Sequence, residues 1–426
     1  SAASDVYKRQ IMKTARILSL TLALFIGALA ISARVAPTST PKEGAIRVLF
    51  LGHESEHHNS NKFYPMLAKA LGRDAIYFDY VTNVKEAFGD AEYLSKFDAV
   101  LLYANHGKIT PEQWKNLKGY VEGGGGFVPV HCASWCFGNE PGFDKLVGGR
   151  FDSHKTGTFT AKVVDGKHPA MDGVQEFEAW DETYKHKNHN EKDRTVLMVR
   201  EIAGKDDNIT EPEPWTWVRT QGKGRVFYTA SGHDERVWKQ PAFHQLLKAG
   251  ILWSVGDGRK QSYEKFIAGR TPLKYERRDN IANYENRPEP LPYQFPLSAE
   301  DSMDYTQAPV GFRLELFASE PDIINPIGLA WDERGRLWVA ETVDYPNEIT
   351  ADRKGNDTIK ILEDTDGDGK CDKVTVFADG LNIPTSLTFS RGGIIVAHAP
   401  DFLFLKDTDG DDKADVREVL TTGWGI

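Results

Sequence analysis

The feature that most restricts the fold is a regular exchange of apolar runs and amphipathic stretches between residues 45 and 131. "AIRVLFLG" (45–52) is nearly continuous in apolar residues, as a strand covered on both faces requires. "NKFYPMLAKALG" then has the period of a helix, "AIYFDYV" reads as a second strand and "VKEAFGDAEYLSKF" as further helix. "DAVLLYAN" (98–105) is a third strand. Thr110, Pro111 and Gln113 spell a capping box with proline at the first helical position. "GGGGFVPVH" turns into a fourth strand that ends at His131. This order implies an α/β doubly wound parallel sheet, with its ligand site at the carboxyl ends of the strands.

Ionisable residues gather at those ends. His53, Glu54, Glu56, His57 and His58 follow the first strand, His106 the third, and His131 with Cys132 the fourth. Further on, "WDETY" carries Asp181, Glu182 and Tyr184, and "GRVFYTASGHDERVW" runs from a late strand into His233 and Asp234. One such histidine is ordinary surface. Three at the strand ends of one sheet point to a site.

Residues 46–256 resemble the ThuA-like (trehalose-utilisation) family, which has the class I glutamine amidotransferase-like fold. The resemblance rests on the order of "GGGGFVPVHCAS", "HPAMDGV", "DETY", "PWTWVRTQGKGRVFYTASGHD" and "FHQLLKAGILWSVG". In the amidotransferases a cysteine nucleophile sits in a G-x-C-x-G elbow after this strand. The matching run here is Val130-His131-Cys132-Ala133-Ser134, which lacks both glycines, so Cys132 reads as a small buried residue. The resemblance shifts the weight to His131. His131, Glu182, His233 and His53 are then the candidate catalytic set, as general acid–base groups or as ligands to a divalent metal. Of the family's activity, an association with sugar metabolism is carried over.

Beyond 256 the periodicity fails, and "NRPEPLPYQFP" (286–296) reads as a semi-rigid linker, so residues 257–307 are expected to connect two domains. The remainder, 308–426, repeats itself. "ILEDTDGDGKCDKVTVF" (361–377) returns as "FLKDTDGDDKADVREVL" (404–420), and "GLAWDERGRLWVAET" pairs with "SLTFSRGGIIVAHAP". Short strands at this period are the mark of propeller blades. About two blades are written, so an incomplete all-β propeller is expected, with apolar faces that nothing in the chain covers. In the acidic loops Asp364, Asp366, Asp368 and Asp372, then Asp407, Asp409, Asp411 and Asp415, take positions 1, 3, 5 and 9 of a calcium loop. Gly369 holds position 6 of the first loop, where the second has Asp412. Glu418 holds position 12 of the second, where the first has Thr375. Weak calcium binding and solvated aspartate-rich turns both fit. This region resembles the propellers of the membrane-associated dehydrogenase-like proteins of planctomycetes, akin to glucose/sorbosone dehydrogenases. The resemblance implies pyrroloquinoline quinone or haem, supplied by sequence beyond residue 426.

At the other end, residues 1–11 read as sequencing adaptor. Met12, Lys13, Arg16 and "ILSLTLALFIGALAISA" then form a secretory signal over 12–36, ahead of an exported protein that is either released or tethered to the membrane. The net charge of −10 argues against nucleic acid as a partner. Three cysteines make no disulfide framework. Two classes of function follow. One is an exported carbohydrate-related enzyme acting on a sugar or polyol. The other is a pair of glycan-binding modules, with Trp135, Trp180, Trp215 and Trp217 as candidate aromatic platforms. The strand-end cluster favours the enzyme.

Overall fold

The computed structural model describes residues 44–202, 207–278, 286, 291–345, 352 and 354–424. The adaptor-like residues and the signal-like segment lie outside them, as does most of the proline-rich run before residue 291. The chain divides into two compact units. The first comprises Ser1–Lys274 with Asp304–Arg313, and the second Tyr275–Met303 with Leu314–Ile426.

The first unit begins as the sequence implies. Strands β1 (Ile46–Leu51), β2 (Ile76–Val81), β3 (Ala99–Leu102) and β4 (Gly126–Pro129) alternate with helices α1 (Ser60–Gly72), α2 (Val84–Phe88), α3 (Ala91–Ser95) and α4 (Pro111–Gly123). Thr110 and Gln113 close the expected capping box on α4. After α5 (Pro141–Val147) come β5 (Arg150–Ser153), β6 (Thr156–Thr160), β7 (Lys162–Val163), β8 (Glu178–Glu182) and β9 (Lys185–Lys187). β10 (Arg194–Arg200), β11 (Glu213–Gln221) and β12 (Gly224–Thr229) precede α6 (Glu235–Trp238) and α7 (Pro241–Ser254).

The main sheet has eight strands in the order β2-β1-β3-β4-β12-β11-β10-β7. It is mixed, which corrects the all-parallel expectation. The first five strands of that order run parallel, but β11, β10 and β7 extend the sheet antiparallel. The cause is local. β11 and β12 are joined by a two-residue turn with Gly222 at φ +60°, and so short a link permits only an antiparallel return. β5 pairs with β9 and β6 with β8 in two small sheets of their own.

Two helix groups pack on the main sheet: α1, α6 and α7 in one, and α2, α3 and α4 in the other. The core joins Val48, Phe50, Leu101, Phe127 and Phe227 to Trp238, which stacks on Phe63 at 5.4 Å. Gly250 on α7 has no room for a side chain. A Cβ there would stand 2.5 Å from the Phe227 ring, so the glycine sets how closely α7 sits on β12.

The first unit continues past residue 256. Residues 257–269 form α8 (Asp257–Gly269), with Tyr263 buried and its hydroxyl donating to Asp74 O. Tyr263 is the single buried residue of α8, and the charged residues around it, among them Arg259 half-buried on Asp98, hide the apolar period that marks the earlier helices. Residues 304–313 also return to the first unit, where Arg47 donates to Ala308 O and Val310 N donates to Asp79 Oδ2.

In the second unit β13 (Tyr275–Glu276) pairs with β14 (Tyr293–Gln294), ahead of the short helix α9 (Ala299–Met303). Two four-stranded antiparallel sheets follow, each in sequence order. The first is β15 (Pro326–Trp331), β16 (Leu337–Glu341), β17 (Asp357–Glu363) and β18 (Lys373–Leu381). The second is β19 (Pro384–Ser390), β20 (Gly393–His398), β21 (Asp401–Lys406) and β22 (Val416–Thr422). Trp338, Ile361, Phe377, Ile394, Val396 and Leu405 form a core common to both. Ile327, Leu329 and Trp331, alternate residues of β15, remain exposed. Among the described residues no helix is long and apolar enough to cross a membrane.

Candidate functional site

β1 pairs with β2 on one side and β3 on the other, so the chain reverses its winding there and opens a crevice beyond the strand ends. The loop after β1 delivers His58, the loop after β3 Asn105, the end of β4 His131, and the loop after β12 His233. Glu182 arrives from outside the main sheet, as the last residue of β8.

These side chains converge. Nitrogen atoms of His58, His131 and His233 and a carboxylate oxygen of Glu182 all lie within 4.8 Å of one another. Glu182 Oε2 is 3.2 Å from His131 Nε2 and 3.5 Å from His58 Nε2. Its Oε1 is 3.2 Å from His233 Nδ1 and 3.5 Å from Nε2 of a further histidine, His154. The Nε2 atoms of His58 and His131 stand 3.2 Å apart. Tyr184 stacks on the His131 ring at 4.2 Å.

The electrostatics follow from burial. Burial alone would raise the Glu182 carboxyl, but the imidazoles of His131, His233 and His58 around it outweigh that and hold it far below the usual carboxylate range. Burial brings His131 down to about 4 against the pull of Glu182. His233 goes the other way, since Glu182 more than offsets its burial.

Two residues of the cluster have backbones that side chains rarely adopt: His58 at φ +55° and His131 at φ +50°. Such conformations cost about 1–3 kcal/mol and persist where neighbours enforce them. Both carbonyls are held. His53 Nε2 donates to His58 O at 3.0 Å. The hydroxyls of Ser134 and Tyr228 both reach His131 O at 3.1 Å. Behind Tyr228 lies a fully buried chain, with its hydroxyl 2.9 Å from His186 Nε2 and His186 Nδ1 2.8 Å from Glu213 Oε1.

Of the candidate set, His131, Glu182 and His233 come together, and His53 does not join them. Its Nε2 is used on His58 O, and its Nδ1 accepts from Asn105 N at 3.3 Å, so it positions the two loops that carry His58 and Asn105. His58 takes the place that the sequence reading assigned to His53. Glu54, Glu56 and His57 do not reach the cluster, and His106 is tied to Gly52 O. Asp234 caps α6. Asp181 accepts from the backbone of Glu182, Gly232 and His233 and so fixes the His233 loop to β8, while burial pushes its carboxyl up to about 7. Cys132 and Cys136 are free, fully buried thiols, and burial pushes Cys136 up to about 12. His154 and Phe151 have no strand-end signature and were not legible as site residues.

A pocket of about 280 Å³ opens over the cluster, lined by His58, Asn105, Trp135, Phe151, His154, Glu182 and Tyr184. Trp135 is 40% exposed there. Trp215 and Trp217 are core residues that bond Ser231 and Val147, which removes them as glycan platforms. Trp180 is half-buried under the Arg236 guanidinium.

The acidic loops of the second unit assemble smaller groups than expected. Asp364, Asp366 and Asp372 converge, as do Asp407, Asp409 and Asp415. Asp368 and Asp411 fall outside these groups and accept instead from the backbone of Lys370 and Lys413. Glu418 is exposed on β22 opposite Phe404, because the strand has begun before position 12 is reached. Asp412 adopts the left-handed backbone, φ +62°, at the place of the missing glycine, and its carboxylate pairs with Arg336 at 2.9 Å.

The fold and site thus define an α/β domain with a histidine-ringed carboxylate at its switch point. Residues 47–254 match the family profile described as "Trehalose utilisation", and the first unit carries a ThuA-like domain. Residues 298–426 match "Domain of unknown function (DUF7133)". Among solved structures, the chain is similar to a ThuA-like protein of Bacteroides uniformis at 21% identity and TM-score 0.43, covering 51% of this chain and 94% of that one. A ThuA-like protein of Parabacteroides merdae gives 21% and 0.43, covering 50% and 90%. A beta-galactosidase from Bacillus circulans gives 16% and 0.36, covering 50% and 31%. No curated protein matches the chain.

Proposed function

We propose that the ThuA-like unit is a carbohydrate-acting enzyme whose chemistry takes place where Glu182 and His58, backed by His131 and His233, meet the pocket. The observation that carries this reading is a buried, ionised carboxylate ringed by imidazoles at the foot of a pocket with an exposed indole. At about 280 Å³ the space is at the small end of ligand sites and suits one sugar ring. Trp135 offers an apolar face for the C–H side of such a ring, and His58, His154 and Glu182 meet its oxygens. His154, at the mouth and exposed, is placed to exchange protons with solvent. The substrate is a sugar or keto-sugar, and the reaction is proton transfer at its oxygen or carbon atoms.

The test is turnover of a panel of monosaccharides, disaccharides and their keto derivatives by the purified chain. Glu182→Gln should lower kcat by about 10²–10⁴-fold. Trp135→Ala should act mainly on KM. Sugar binding without turnover, unchanged by Glu182→Gln, would move the unit to the glycan-binding reading, which the exposed Trp135 otherwise supports.

For the second unit we propose a dehydrogenase-like propeller, of which the two four-stranded sheets are blades, acting on a sugar or alcohol. Its support is the strand order and the repeated loop. Dye reduction after addition of pyrroloquinoline quinone tests it, and its absence with every sugar and alcohol tried counts against it. Export with a signal at 12–36 belongs to the same proposal. N-terminal sequencing of the protein recovered from the cell envelope checks that part.

A further inference from the structure

The protons of the histidine cluster are constrained by the atoms behind it. His131 Nδ1 lies 2.6 Å from the carbonyl of Ala230, which can only accept, so the ring's proton is on Nδ1. His58 Nδ1 lies 2.9 Å from Asn105 Oδ1, and the same assignment follows. Both Nε2 atoms therefore present lone pairs, 3.2 Å apart, and His131 Nε2 also faces a carboxylate oxygen at 3.2 Å. His233 Nδ1 is buried, 3.2 Å from Glu182 Oε1, yet makes no hydrogen bond of acceptable geometry. Three electron-rich atoms, His58 Nε2, His131 Nε2 and Glu182 Oε2, thus face one another inside the protein, with His233 Nδ1 unpartnered beside them. A shared proton bridges two heavy atoms and leaves the others in repulsion. A cation at the centre satisfies all four.

We propose that His58, His131, His233 and Glu182 together bind one divalent transition-metal ion of the zinc type. The inference uses the centre assigned above to carbohydrate chemistry but stands on its own observations. Ligands about 2.1 Å from one ion at tetrahedral angles lie about 3.4 Å apart. The separations among His58 Nε2, His131 Nε2 and Glu182 Oε2, 3.2, 3.2 and 3.5 Å, fit such an edge, and His233 Nδ1 lies 3.2 Å from the other carboxylate oxygen, Oε1, with one ligand atom of each of the four residues within 4.8 Å of the rest. Three imidazoles and one carboxylate suit zinc, iron, cobalt or manganese and not calcium or magnesium, which take oxygen. Ala230 O and Asn105 Oδ1 are the outer partners that orient metal-binding histidines. When bound, such an ion supplies a Lewis acid for a sugar hydroxyl or carbonyl oxygen. The protein's part is to hold the imidazoles deprotonated toward the centre and to keep Glu182 ionised.

The experiment strips the full chain with chelator and titrates back Zn²⁺ against a chromogenic zinc indicator, with Co²⁺ in parallel. One tight equivalent per chain is expected, with a cobalt visible spectrum of a nitrogen-rich, low-coordinate site. The oxygen-only acidic loops of the second unit cannot give that spectrum. His58→Ala and Glu182→Gln, checked for folding by circular dichroism, should each lose more affinity than the roughly 10–100-fold of an outer-partner change such as Asn105→Ala. Absence of a tight equivalent in the stripped wild type, or the same affinity in folded His58→Ala and Glu182→Gln, overturns the proposal. Sugar turnover by a wild type that takes up no tight equivalent overturns it while leaving the carbohydrate reading intact. One equivalent with the expected cobalt spectrum and no sugar turnover supports the metal and counts against the sugar.

Discussion

The roles of individual residues turn on which atoms their rings and hydroxyls have left to offer. His53 and His58 differ by five positions, and both are imidazoles after the same strand. His53 is consumed at both nitrogens, whereas His58 keeps Nε2 for the centre. Tyr228 is not among the residues that line the pocket, yet its hydroxyl is shared by His186, Ser134 and the His131 carbonyl. Tyr228→Phe leaves buried polar partners unsatisfied, so a loss of about 1–3 kcal/mol is expected in denaturant unfolding. A fall in kcat should accompany it, as His131 loses a restraint on its left-handed backbone. The cysteines give a second expectation. Cys132 and Cys136 are buried with thiols raised by burial, and Cys371 is half-buried. Brief alkylation of the native protein at a mildly alkaline pH, read by mass spectrometry, should label Cys371 first and leave the other two. Rapid labelling of Cys132 would restore it as a candidate nucleophile.

At the scale of elements, the turn between β15 and β16 is organised by Asp332. Its carboxylate accepts from Arg336 Nε at 2.7 Å, from Trp338 Nε1 at 3.1 Å and from the backbone of Arg334 and Arg336. Arg336 in turn reaches Asp412 in the β21–β22 loop, so one ion-pair network ties the two four-stranded sheets together beside a cleft of about 680 Å³. Burial alone would raise the Asp332 carboxyl, but its hydrogen bonds from Trp338 and Arg336 outweigh that and lower it. A lowered folded value means that its stabilisation is complete above the unfolded carboxylate value of about 3.9 and is lost as pH falls through the folded one. Asp332→Asn should therefore destabilise the second unit at neutral pH, by about 1–3 kcal/mol. The gap from wild type should close below pH ~4. The acidic loops allow a plainer expectation. Each gathers three carboxylates, and Asp364 and Asp407 already accept from several backbone amides of their own loops. Calcium binding should be weak, toward the ~10⁻⁴–10⁻³ M of extracellular modules. Calorimetric titration in which millimolar calcium gives neither heat nor a change in Tm would leave both loops as ordinary turns.

For the whole molecule, the division into two units with separate cores predicts two thermal transitions. A ligand raises only the transition of the unit that binds it. Zn²⁺ should then shift the transition assigned to the ThuA-like unit and leave the other in place. A single transition that moves as one with Zn²⁺ would show that the two units unfold as a single cooperative body.

The alternation of strands and helices from 45 to 131 was readable in advance, because strands buried on both faces must be apolar throughout and helices must show their period. The repeat in the second half was readable for the same kind of reason: identical turns need identical residues. The antiparallel half of the main sheet was not, since β10 and β11 carry Arg194, Arg200, Glu213 and Arg219 inside strands where only tertiary partners make them tolerable. Nor did the linear text separate His58 from His53, or show that Glu182 would cross from a side sheet to meet them. Sequence alone determines the parallel strands and helices of 45–131 and the repeated turns of the second half, because those preferences are local. The convergence of His58, His131, Glu182 and His233 within 4.8 Å was decided by the tertiary structure, since it depends on the ends of β1, β4, β8 and β12 meeting at one crevice, and the chain's order carries no record of that distance.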